Sequence, residues 1–141
     1  VHLTVTAPPP TVTLQPGLNG YAGASDTFLD NTARTVVRGA SNPLYLDPVN
    51  YNPLVRFAIY QSEGGPVPDG AVLQSASLQL YKQSYDDTLQ LNALLKPWLE
   101  AHATWNPAQT GTSWSAGGAS GAGSDYDGTA DDLLTTSLYP G

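Results

Sequence analysis

Apolar and polar residues alternate with a period of two along much of this chain. In "LVRFAIY" Val55, Phe57 and Ile59 fall on one side of an extended backbone, while Arg56, Ala58 and Tyr60 fall on the other. "VLQSASLQLYK" repeats the pattern, with Ala76, Leu78 and Leu80 as the inward set and Ser77, Gln79 and Tyr81 outward. "TLQLNALL" does so again, with Leu89, Leu91, Ala93 and Leu95 inward and Gln90 and Asn92 outward. Such alternation predicts strands with one dry and one wet face, as in antiparallel sheets. Shorter strands are expected at "DTFLD", "TVVRG" and "PLYLDP", the last held to a sheet edge by Pro43 and Pro48. Helix signals stop at a single turn through "PWLEAH". Strands of this length at roughly ten-residue spacing predict an all-β chain, a jelly-roll-like antiparallel β-sandwich.

The N-terminal stretch follows the same rule. Val1, Leu3, Val5 and Ala7 alternate with His2, Thr4 and Thr6, and Pro8 to Pro10 then form a stiff spacer that cannot join a ladder. Residues 1–10 are therefore expected to be a strand and linker, and residues 11–141 a β-sandwich module. Val1 is not an initiator methionine and the chain contains no Met, which fits a processed or excised piece of an exported parent.

Composition narrows the class. The chain has 141 residues, 40% of them hydrophobic, enough for one domain with a core. Only 12% are charged, and Gly, Pro, Ser and Thr supply the polarity, a balance that fits a secreted or cell-surface protein. A net charge of −7 repels phosphate backbones and anionic membranes, so nucleic acid is not an expected partner. No apolar run reaches the ~20 residues of a membrane span, so no membrane insertion is expected. Cysteine is absent, which removes disulfides and thiolate chemistry.

Five segments in order carry a resemblance. "DTFLDN", "LVRFAIY", "VLQSASLQLY", "WLEAHATWN" and "SAGGASGAGSDYDG", from about Asp26 to Asp132, resemble the DNRLRE-type module, related to disaggregatase repeats and to carbohydrate-binding modules of alginate and ulvan lyases. The most specific elements are Arg56 with Phe57, and the string Trp98, Glu100, Thr104, Trp105 and Asn106. The resemblance implies a non-catalytic jelly roll in a large extracellular protein. Two departures stand out: Ala58 replaces the acid that usually follows the Arg-Phe pair, and the chain stops at "LLTTSLYPG" where such modules continue into further strands. An incomplete sandwich exposes sheet edges, which the strand of Val1, Leu3, Val5 and Ala7 has the length to fill, in its own chain or a neighbour's. "VHLTVTA" is also similar to the last strand of PKD-type or immunoglobulin-like repeats.

Candidate chemistry is sparse. Trp98 and Trp105 are expected in the core with Val55, Phe57, Ile59, Leu78 and Leu80, whereas Trp114, flanked by Ser113, Ser115 and glycines, fits either the core or a sugar platform. Arg56, Tyr60, Gln79, Tyr81, Gln90 and Asn92 combine rings with amides on the outward face, the mixture a sugar site needs, and equally fit an ordinary solvated face. Asp125, Asp127, Asp131 and Asp132 offer hard oxygens for Ca²⁺, with Asp26, Asp30 and Asn31 as a weaker set; a solvated acidic turn explains them as well. No cofactor is otherwise implied. His2 and His102 are the only histidines, and no catalytic motif occurs, so an enzyme is not expected.

Two readings follow. One is a non-catalytic extracellular module for carbohydrate binding or adhesion, with a neutral polysaccharide as partner. The other is a structural subunit whose copies exchange N-terminal strands into a filament or array, by donor-strand complementation.

Overall fold

The computed structural model describes residues 10–81, 88–129 and 132–135, the side chains of 88, 89 and 132–135 excepted. Regular structure among them is mainly β. The strands are β1 Ala24–Asp30, β2 Tyr51–Phe57, β3 Thr88–Leu91, β4 Pro107–Gln109, β5 Thr112–Ser113 and β6 Asp132–Thr135. Two 3₁₀ turns, Leu18–Gly20 and Gln61–Glu63, complete the set.

These strands form small two-stranded sheets, β1 with β2, β3 with β6 and β4 with β5. At one end of the first pair Ala58 N–H donates to Gly23 O at 2.7 Å, and at the other Asn31 N–H donates to Asn50 O at 2.9 Å. One strand advances as the other retreats, so the pair is antiparallel. Pro53 sits inside β2, a position open to proline where its nitrogen faces away from the ladder. β3 and β6 are antiparallel in the register Thr88 to Thr135 and Leu91 to Asp132.

The chain divides into two compact units. In the first, residues up to 24 together with 56–73, the Tyr21 hydroxyl donates to Ala58 O at 3.0 Å. A Cβ on Gly23 would come within 2.7 Å of the Ala58 Cβ, so this close approach requires glycine. A short turn joins Tyr60 to Val67, with Glu63 Oε2 accepting the Ile59 and Tyr60 amides at 3.2 and 3.3 Å.

The second unit, residues 25–55 and 74–141, contains the core. Leu29, Leu54, Trp98, Ala103, Ala108, Trp114 and Ala119 cluster there, with Leu94 and Trp105 packed against them. Much of the cluster lies on irregular backbone, which glycine makes possible. A Cβ on Gly118, whose φ is +76°, would sit 2.7 Å from the Trp105 ring. Gly118 N–H in turn donates to Trp105 O at 2.8 Å.

Several expected core positions lie elsewhere. Val55, Phe57 and Ile59 are only half-buried, and Leu54 and Ala58, of the opposite parity, are the buried residues of that segment. Leu54 and Ala58 are apolar although Arg56 shares their parity, so alternation alone does not say which face is covered. Leu78 and Leu80 are exposed at 39% and 59%, and residues 71–81 form no strand. Leu91 and Leu95 are exposed as well, while Leu94 packs on the core. No strand occupies 35–39 or 43–46. Among the described residues no helix is long and apolar enough to cross a membrane. Val1, Leu3, Val5 and Ala7 lie outside the described residues.

Candidate functional site

β1 is buried on both sides towards its end. Leu29 points to the core, so Phe28 and Asp30, one residue away in either direction, belong to the opposite face. That face floors a cleft of about 390 Å³ lined by Phe28, Asp30, Arg38, Ser41, Asn42, Tyr45 and Tyr51. The volume lies at the small end of the ~300–1,000 Å³ typical of ligand sites.

Three rings form its wall. Phe28 meets Tyr45 edge-on at 5.2 Å between centroids and Tyr51 edge-on at 5.5 Å, and the two tyrosines lie 5.7 Å apart. The two Phe28 contacts have favourable edge-to-face geometry, and the tyrosine pair is tilted at 43°. Tyr45 nonetheless keeps half its surface exposed, leaving ring area open to solvent. Tyr51 is set by a turn in which Asp47 Oδ1 accepts the amides of Val49 and Asn50 at 2.7 and 3.1 Å. Asp47 and Tyr51 also exchange backbone hydrogen bonds at 3.0 Å.

Asp30 supplies the polar floor. Its Oδ1 accepts the Thr32 amide, the Thr32 hydroxyl and the Ala33 amide at 2.8, 2.7 and 3.1 Å. Its Oδ2 accepts Arg38 Nε and Nη2 at 3.2 and 2.7 Å. Burial pushes the Asp30 pKa up, but the hydrogen bonds from Thr32, Arg38 and Ala33 outweigh it and leave the carboxyl below its ordinary value. Arg38 also lies over Phe28, 5.7 Å from the ring centroid. Two of the five guanidinium donors are spent on Asp30, and the others have no acceptor among the described residues. The cleft therefore offers rings, a guanidinium edge, the Asn42 amide and the Ser41 hydroxyl, with no net charge.

The residues expected from sequence to bind sugar are placed differently. Arg56 is exposed and 3.6 Å from Glu63, and the Tyr60 hydroxyl donates to Ala71 O at 3.4 Å; both belong to the first unit. In the second unit Gln79 and Tyr81 are exposed, and Gln90 donates to Asn92 at 3.2 Å. Trp114, which the sequence left open between platform and core, is 6% exposed, and its indole N–H donates to Thr104 O at 2.9 Å. Trp98 is 7% exposed and Trp105 half-buried.

Asp125, which the sequence offered either to a solvated acidic turn or to Ca²⁺, is buried and anchors a loop. Its fully buried carboxylate accepts the amides of Ser115, Ala116 and Gly121 at 2.7, 3.0 and 3.0 Å and pairs with Lys96 Nζ at 2.8 Å. Burial raises its pKa, and Lys96 with the three amides overrides this, holding the carboxyl far below the usual range. Lys96 also donates to Ser113 O at 2.8 Å and Ser115 Oγ at 3.0 Å. Asp125 thus ties the Gly-rich loop to the segments of Lys96 and Ser115. Asp127 is exposed and accepts the Thr129 amide at 3.0 Å, and Asp131 lies outside the described residues. Among the described residues no three His, Cys, Asp or Glu side chains gather as a metal site.

A second cleft of about 320 Å³ is lined by Val37, Gly39, Ala40, Glu100 and Ala101 and has no aromatic ring. Of the aromatic cleft, only Asp30 had been legible as a candidate, within "DTFLDN". Arg38, Asn42, Tyr45 and Tyr51 come together through loops, where no periodicity marks them. No protein-family model, curated protein or solved structure matches the chain.

Proposed function

We propose that this chain is a non-catalytic carbohydrate-binding or adhesive module of a larger secreted or cell-surface protein, with the Phe28–Tyr45–Tyr51 cleft as its sugar site. Its small antiparallel sheets are, on this reading, parts of a jelly-roll sandwich. The observation that carries it is the exposed Tyr45 ring lining one cleft together with Arg38, Ser41 and Asn42. A saccharide presents C–H faces that stack on rings and hydroxyls that need planar donors and acceptors, and both demands meet here. Among the described residues the cleft holds a single carboxylate, Asp30, already committed to Arg38, whereas glycoside hydrolysis generally uses a pair.

A glycan array followed by calorimetric titration tests the reading. The full chain is expected to bind at least one glycan class, and Tyr45→Ala to weaken it roughly tenfold with an unchanged circular dichroism spectrum. Undiminished binding by a folded Tyr45→Ala variant would remove the cleft from the account.

One observation favours self-assembly as a second reading. In the second unit Leu78 and Leu80 are exposed along a segment that forms no strand, and exposed apolar surface is what an interface between copies would cover. Light scattering after size exclusion should then show oligomers that Leu80→Lys dissociates; a monomer at all concentrations argues against exchange.

A further inference from the structure

Resting on the carbohydrate reading of the cleft, we infer that the Asp30–Arg38 pair sets the ligand class: it is a charge lock that admits neutral saccharides and turns away uronates. An unpaired arginine beside aromatic rings would be a carboxylate receptor, because its fork matches two oxygens at once. Here the fork formed by Nε and Nη2 already holds Asp30, at 3.2 and 2.7 Å.

The lock cannot easily open. Asp30 is 2% exposed and is fixed by Thr32 and Ala33 as well as by Arg38. Arg38 lies against the Phe28 ring, so swinging towards a ligand would forfeit both the ion pair and the ring contact. A ligand carboxylate entering beside Arg38 would meet the charge of Asp30 at short range, with no other cationic side chain among the described residues lining the cleft. A sugar hydroxyl meets no such repulsion and can accept from the guanidinium donors that Asp30 leaves free. The net charge of −7 acts in the same direction at longer range.

The test is calorimetric titration of the full chain with neutral gluco-, manno-, galacto- and xylo-oligosaccharides, and with alginate- and pectin-derived oligouronates of matched length, at low and high salt. Expected is a neutral ligand bound at least about tenfold more tightly than any uronate, with little salt dependence. Tighter, salt-sensitive uronate binding would overturn the lock while leaving the cleft a sugar site. Binding of neither class, in the wild-type chain, would remove the carbohydrate reading itself and the lock with it. Asp30→Asn releases the guanidinium and is expected to raise uronate affinity roughly tenfold, a gain abolished by salt. A folded Asp30→Asn variant with unchanged ranking would also overturn the lock. Should that variant fail to fold, the wild-type preference and its salt response still decide the matter.

Discussion

Arg38 grips the buried carboxylate of Asp30 through two donors, Nε at 3.2 Å and Nη2 at 2.7 Å, while its plane lies over Phe28. The pair joins the loop after β1 to the strand itself, and so ties the shape of the aromatic cleft to a single ion pair.

That pair has a defined pH window. The folded-state pKa of Asp30 lies below its unfolded value, so its contribution is complete above about pH 5 and is lost as pH falls through the lower, folded value. Glycan affinity is accordingly expected to be flat between about pH 5 and pH 8 and to decline only in stronger acid. Titrations across that range check this; a midpoint near neutrality would show that another group controls the site.

Asp125 carries the same logic deeper into the molecule. Asp125→Ala leaves Lys96 and three backbone amides without their acceptor and should cost about 3 kcal/mol of stability. Denaturant unfolding measures the loss. Because the folded pKa of Asp125 is lowered, wild-type stability from this residue persists from neutral pH down to about pH 4 and fades only below it.

Thr27 offers a gain. It is fully buried, and its Oγ1 has no hydrogen-bond partner among the described residues. Thr27→Val keeps the shape and removes the unpaired hydroxyl, so stability should rise by about 1 kcal/mol, read as a higher melting temperature. A fall would mean that the hydroxyl has a partner after all.

Trp114 separates core from site. Trp114→Phe strands the Thr104 carbonyl and leaves a void in the cluster, with an expected cost of about 2 kcal/mol. Glycan affinity of the folded variant should be unchanged, which titration below its unfolding transition verifies.

What the sequence made legible follows from how each signal arises. Period-two alternation marked β2 and β3 because a strand imposes that period locally. It missed the side that is covered, since Leu54 and Val55 are equally apolar and only the partner, here the cluster of Leu29 and Trp98, decides between them. Leu78 and Leu80 alternate as well as any residues in the chain, yet are exposed among the described residues, because alternation supplies one face and burial needs two. The aromatic cleft was hidden for a different reason. Tyr45, Asn42 and Arg38 sit on the loop after β1 and line the cleft together with Phe28, an arrangement that leaves no spacing to recognise. Asp125 was visible as an acid after glycines, but the same pattern fits an ion, and only the amides of Ser115, Ala116 and Gly121 distinguish a loop anchor from a ligand.

The central claim is that the tyrosine cleft is where this chain touches its ligand. Amide chemical-shift mapping of the ¹⁵N-labelled chain, titrated with the best-bound neutral oligosaccharide, tests it directly. The account predicts the largest shifts at Arg38, Ser41, Asn42, Tyr45 and Tyr51; shifts centred on Arg56, Tyr60, Gln90 and Asn92 instead would contradict it.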